Sequence, residues 1–472
     1  MYHSLAKHRL LSAVLLVMVS ILLLAMGLIP RLNTRAASPT ILTENLPKPA
    51  AIAAGDWSRY LYSDKHQGVN PAETYLSKSN IASLALKWKF TTKGRLAAEP
   101  VVVNGIVYQP SWDGYVYAIN ATTGTQVWKT FLGVYTSPQC QNYHRGASGT
   151  AVVNNGVVYV SAGRHFSALS ASDGSILWQT TLGTSGTDND FIWAGAALAN
   201  GKIYVGVASL CDNPLTQSML YALNKTDGSI AAQAKIVADG SLGGGIWNVP
   251  TIDLATNTVI VTTGSIDKTQ RIPMTAAIAT FDINTLAVKQ YWQVPVNNLY
   301  GDADWGCTVT LFPGPGSKTY VGCINKNNIY YVFDEAHISS GPIWQITLAP
   351  GGDRGGVTGS FASAPYLNGI LYISTVNTVI DGTSYGGSIG AFDALTGTQL
   401  WRFGTAGPVV GSPIIANGLL YDTQGKTMEV RDLTDGQVLF SYTVGNIMGS
   451  VTVSNGVVYL PSFDMSLYAL TV

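Results

Sequence analysis

One pattern recurs along the chain and constrains the fold more than any other feature. "AINATTGTQVW" (118–128), "ALSASDGSILW" (168–178), "ALNKTDGSIAA" (222–232), "TFDINTLAVKQYW" (280–292), "VFDEAHISSGPIW" (332–344), "AFDALTGTQLW" (391–401) and "VRDLTDGQVLF" (430–440) share it. Each is a short apolar strand, a turn rich in Asp, Asn, Thr and Gly, and a second strand ending near an aromatic. Upstream of most copies stands an Asn-Gly between apolar runs, as in "VVVNGIVYQP" and "ALANGKIYVG". Asn-Gly in that setting is a strong hairpin signal, because both central residues of a type I′ turn need positive φ.

Each unit therefore reads as four antiparallel strands. Units that repeat every ~40–60 residues and cannot bury their faces alone predict the blades of a β-propeller. Seven copies are complete. An eighth, "SVTVSNGVVYLPSFDMSLYALTV", ends before its last strand, and "SLALKWKF" (83–90) supplies a strand with the matching Trp88. Pairing 83–90 with 466–472 would close the ring and hide two sheet edges. The expected fold is all-β: an eight-bladed propeller over 56–472, closed by its terminal strands. The abundance of Gly (50), Tyr (24) and Trp (11) with only 11% charged residues suits such a fold. A solenoid or sandwich would leave the complementary ends unexplained.

The N-terminus reads differently. Lys7, His8 and Arg9 precede an uncharged run from Leu10 to Ile29. That length spans a bilayer as one helix, and positive charge before it predicts the bulk of the chain outside the cytoplasm. Residues 1–29 are expected to be an uncleaved signal-anchor that ties the protein to the membrane. Ala36-Ala37-Ser38 offers the alternative of a removed signal peptide and a secreted product. Residues 30–55 read as a linker. Balanced charge, 27 basic against 27 acidic residues, does not suggest nucleic acid as a partner. Four cysteines in an exported chain suggest disulfides, with three pairings possible. Cys307 and Cys323 flank "FPGPGSK" and could face each other across a hairpin, which would leave Cys140 with Cys211.

The copies resemble the tryptophan-docking repeats of the pyrroloquinoline quinone (PQQ) propeller superfamily, above all the polyvinyl-alcohol dehydrogenase-like members. The resemblance covers roughly 55–472 and implies fold more firmly than activity. In "LGGGIWNVPTID" it places Trp247 where the family stacks the quinone, with Asp253 matching an acidic residue six positions on. In "YGDADWGCTV" it makes Asp304 the general base that takes the alcohol proton. In "NKNNIYYVFD" it makes Lys326 the cation at the reactive carbonyl. In "CQNYHRGASG" it makes Arg145, five residues after Cys140, the partner of a quinone carboxylate. Gln139 stands where the family has the first of two adjacent cysteines, so Cys140 is the one cofactor-side cysteine kept. Calcium, in the family, would be held by Asp304 with an Asn and a Glu; here Ser265 and Asp212 occupy those places.

The resemblance implies a PQQ-dependent oxidation of an alcohol to an aldehyde or ketone, assisted by Ca²⁺. No Cys-x-x-Cys-His occurs, so no attached c-type haem is expected and electrons pass to an external acceptor. The alternative is a non-catalytic extracytoplasmic propeller that binds a protein or glycan. Read without the resemblance, Trp247 is one more blade-docking indole, Asp302 and Asp304 are turn residues, Lys326 is a solvated lysine and Arg145 serves a local pairing.

Overall fold

The computed structural model describes residues 53–136, 140, 144–183, 189–211, 214–264, 271–299, 304–350 and 359–472. The expected membrane helix, Ser265 and Asp212 lie outside the described residues. Among the described residues no helix is long and apolar enough to cross a membrane.

Eight antiparallel four-stranded blades follow one another in a meander; Val69–Asn70 adds a short parallel strand at the edge of the seventh, and Asp190–Phe191 pairs with the far end of a strand of the third. Blade 1 runs from Val101–Val103 to Gln126–Phe131, and blade 2 from Val152–Asn154 to Ile176–Thr181. Blade 3 runs from Ala197–Ala199 to Ile230–Lys235, blade 4 from Thr251–Asp253 to Val288–Gln293, and blade 5 from Thr310–Pro313 to Trp344–Thr347. Blade 6 runs from Tyr366–Leu367 to Gln399–Thr405, and blade 7 from Ile414–Ala416 to Val438–Thr443. Blade 8 joins Thr452–Ser454, Val457–Ser462 and Ser466–Thr471 to Ala85–Thr91 from the other end of the described chain. The closing register sets Ala85 opposite Thr471 and Trp88 opposite Ala469.

The turn chemistry sets the hairpins. Asn104 and Gly105 take φ of 52° and 74°, the mirror-image turn that matches strand twist. The same Asn-Gly geometry returns at Asn155, Asn200, Asn368, Asn417 and Asn455. Docking between blades is equally regular. Trp88 Nε1 donates to the Ala121 carbonyl at 3.0 Å, Trp128 to Ala171 at 3.0 Å, Trp178 to Lys225 at 3.2 Å and Trp344 to Ala394 at 3.1 Å. The indole face then covers the turn glycine of the next blade. A Cβ on Gly124 would stand 2.7 Å from the Trp88 ring, so the repeated Gly is required by close approach as well as by its φ of 71°. Both disulfides form as expected, Cys140–Cys211 and Cys307–Cys323.

The segment ahead of the blades is not read from the repeats. The sequence places 30–55 in a linker and starts the propeller at 56. Yet Gly55 already accepts a hydrogen bond from Ser454, and 53–78 forms no blade. It satisfies the edges of the inner strands instead. Trp57 exchanges backbone hydrogen bonds with Val102 of blade 1, and Val153 of blade 2 donates to Ser58. Leu311, Tyr366 and Ile415 of blades 5, 6 and 7 donate to the carbonyls of Lys65, Gln67 and Gly68. Asn70 Nδ2 reaches the Val453 carbonyl of blade 8 at 2.9 Å, and His66 Nδ1 meets Thr251 Oγ1 of blade 4 at 2.9 Å. Inner-strand edges carry unpaired backbone groups that need partners when buried. Trp57, Leu61 and Leu76 are fully buried in doing this.

Candidate active site

The inner strand of each blade is preceded by a short segment that faces the ring axis. Trp193 and Trp247 each stand four residues ahead of their inner strands, Ala197–Ala199 and Thr251–Asp253. This offset separates them from the docking tryptophans, which lie on the outer strands. Trp247 is supported closely at its rim. A Cβ on Gly306 would lie 2.1 Å from Trp247 Cη2, and one on Gly264 would lie 2.9 Å from Nε1 and 3.0 Å from Asp304 Oδ2. Glycine at these positions is what lets the indole and the carboxylate sit there. Phe361 packs against the same indole, ring centroids 5.6 Å apart at 58°.

Asp304 and Lys326 come from blade 5, Asp304 ahead of the inner strand and Lys326 from the turn between Thr319–Ile324 and Ile329–Asp334. Lys326 Nζ is 2.6 Å from Asp304 Oδ1 and 4.9 Å from the centroid of the Trp247 ring. The two loops are tied together: Lys326 N and Asn325 Nδ2 both donate to the Asp304 carbonyl, at 3.2 and 3.1 Å. Trp247, Asp304 and Lys326, with Trp193, Gly245, Ser209, Leu215 and Cys211, line a cavity of about 230 Å³. A second cavity of about 310 Å³ lies along the axis and shares Trp193 and Trp247 as walls.

Of the residues marked by resemblance, Trp247, Asp304 and Lys326 therefore converge. Arg145 does not join them in lining that cavity. It forms a backbone bridge with Tyr135, and its guanidinium lies 3.8 Å from the centroid of the Trp112 ring, a cation–π stack. Cys140 reaches the cavity only through its bond to Cys211. Asp253 sits in blade 4's inner strand, accepts from Ala255 N at 2.8 Å and lines neither cavity. It helps, after burial, to raise the neighbouring Glu335 carboxyl to about 7.

The residues present fit a flat, anionic quinone at the 230 Å³ cavity: an indole face, a lysine beside it, and an indole Nε1 of Trp247 that is buried with no hydrogen-bond partner among the described residues. Among the described residues they do not supply the oxygens that calcium needs. Among the described residues Asp304 is the single carboxylate lining the cavity, and no group of three or more His, Cys, Asp or Glu is placed to hold a metal. Hard cations collect several oxygens. Sequence reasoning missed Trp193, whose offset from its inner strand equals that of Trp247, and it missed Glu99, Trp112 and Phe361 of the axial cavity.

The profile of the family described as outer membrane protein assembly factor BamB matches residues 73–292 and 385–472. The chain belongs to this family of PQQ-repeat propellers. Among relatives, polyvinylalcohol dehydrogenase of Sphingopyxis sp. is 23% identical, over 84% of this chain and 78% of that protein. Tetrathionate hydrolase of Acidithiobacillus ferrooxidans is 26% identical over 74% of this chain, which spans 58% of that protein's length. The solved quinohemoprotein alcohol dehydrogenase of Comamonas testosteroni shares the fold, with a TM-score of 0.74, 16% identity and coverage of 89% of this chain and 81% of that one. An oxidation and a hydrolysis thus occur among the relatives' names, so the site and not the fold carries the function.

Proposed function

We propose that the protein is an extracytoplasmic quinone-dependent dehydrogenase that oxidises an alcohol to an aldehyde or ketone. The observation that carries this reading is Lys326 Nζ held between the Asp304 carboxylate and the face of Trp247, in a cavity large enough for a slab-shaped guest. Pyrroloquinoline quinone, when bound, supplies the two-electron acceptor for the hydride that leaves the carbinol carbon. Trp247 would hold it by stacking. Lys326 offers a positive donor where oxygen charge grows. Asp304 takes the hydroxyl proton, and its pairing with Lys326 fixes where the carboxylate stands for that task. The balance is one hydride to the cofactor and one proton to Asp304, leaving a carbonyl. Electrons then leave to an external acceptor, and Leu10–Ile29 would hold the propeller at the membrane.

The test is a titration of the purified protein with pyrroloquinoline quinone, read by indole fluorescence and absorbance, then dye reduction over a panel of alcohols. Saturable uptake with alcohol-dependent dye reduction supports the reading. No uptake at all removes it. A second reading, a non-catalytic scaffold for an envelope partner, draws on the placement of Arg145 over Trp112 and on the family's description. Recovery of one stoichiometric partner by a protein that takes up no quinone would select it.

A further inference from the structure

The axial cavity has a different chemistry from its neighbour. Its walls come from the segments ahead of the inner strands in all eight blades, and Tyr60 of the 53–78 segment joins them. Trp112, Trp193, Trp247 and Phe361 give it aromatic faces. Ser148, Thr150, Asn248, Thr308, Ser412 and Ser450 give it hydroxyls and an amide.

Several of these polar groups are already engaged. Thr150 Oγ1 accepts from Glu99 N at 3.1 Å, Thr308 Oγ1 accepts from Val249 N at 3.0 Å, and Ser412 Oγ bonds the Tyr60 hydroxyl at 2.9 Å. Others are not. Trp112 Nε1 and Asn248 Oδ1 are buried with no hydrogen-bond partner among the described residues, although Asn248 is only 4% exposed and its Nδ2 is fixed on the Thr262 carbonyl at 2.8 Å. Leaving such atoms unpaired is costly, so a guest that offers both an acceptor and a donor is favoured. Among the described residues no lysine, arginine or aspartate lines this cavity. Its one carboxyl, Glu99, is occupied by Trp57 Nε1 and Leu61 N, and burial lifts it well above the ordinary carboxylate range, towards the neutral form. Water satisfies polar atoms but gains little from indole faces.

We propose that the axial cavity is a second binding site, for a neutral hydroxyl-bearing molecule of about monosaccharide size, recognised by Trp112, Trp193, Trp247, Phe361 and Asn248. Aromatic faces take the apolar side of such a molecule, and Trp112 Nε1 and Asn248 Oδ1 pair with its hydroxyls. The inference does not rest on the quinone reading, because neither Asp304 nor Lys326 lines this cavity, although Trp193 and Trp247 are walls common to both.

The experiment is calorimetric titration of the full chain with methyl glucoside, methyl galactoside and cyclohexane-1,2-diol, with glucuronate as the charged counterpart. Saturable binding of at least one neutral probe is expected, with quenching of indole fluorescence and glucuronate at least tenfold weaker. Trp112→Phe keeps the ring and removes the donor, and should weaken binding about two- to tenfold. Met448→Trp fills the cavity from blade 8 and should abolish binding, with circular dichroism reporting its fold. If Met448→Trp does not fold, Trp112→Phe decides alone. Absence of saturable uptake for all three neutral probes overturns the proposal. So does glucuronate binding as tightly as they do, or affinity unchanged in Trp112→Phe.

Discussion

Two cavities meet at the same pair of tryptophans and differ in charge. The one bordered by Asp304 and Lys326 holds a close ion pair over the Trp247 ring. The axial one holds a buried acid that burial pushes towards its neutral form and a set of hydroxyls from many blades. The difference follows from where each draws its residues. The axial cavity is built mainly by positions that recur in every blade, at and just after Trp193 and Trp247, and repetition there supplies small or aromatic residues. The other draws on Asp304 and on the turn that carries Lys326, loops that are not shared between blades. A repeat makes a neutral channel readily; charge enters through the loops that depart from it.

The largest effect that would break this contrast is on the charged side. Lys326→Ala and Asp304→Asn should each lower alcohol-dependent dye reduction by about 10²–10⁴-fold, read as kcat in saturating quinone. Activity within threefold of the parent in both variants would mean that the ion pair is structural.

Acid probes the 53–78 segment that runs along the inner strands. Burial first, then Arg59, lowers the His66 imidazole from 6.5 to about 3, so the folded state holds it neutral. Its stabilising contribution is complete above about pH 6.5 and is lost as pH falls toward 3, because the unfolded chain takes up the proton. The loss is about 1.4 kcal/mol per pH unit within that window. Melting at stepped pH should show it, with amide exchange accelerating in 53–78. His66→Gln should flatten the slope.

Gly306→Val tests the shared wall. Its side chain would meet Trp247 Cη2, so the indole must move. A destabilisation of about 1–3 kcal/mol in denaturant melts is expected, with loss of quinone uptake. Tyr60→Phe gives the smallest change. It removes the hydroxyl bonded to Ser412 and should cost about 0.5–1.5 kcal/mol, leaving dye reduction as it was.

Much of this was legible in the chain. The Asn-Gly turns, the outer-strand tryptophans and the complementary ends predicted eight blades and the closure of 83–90 on 466–472, and both disulfide pairings followed from spacing and remainder. The residues of the charged cavity were legible only through resemblance, which singled out Trp247, Asp304 and Lys326 but did not anticipate Arg145 on Trp112. The 53–78 segment carried no periodicity to betray it, since its pairing is to the edges of strands far away in sequence.

The sequence by itself determined the blades and how they lock, because turn φ preferences and the fit of each indole onto the next glycine are local and repeat. Only the tertiary structure decided what the axis contains. Residues separated by hundreds of positions, such as Tyr60 and Ser412, meet there because the ring closes. No pattern within one repeat records which side chains eight separate blades will bring face to face.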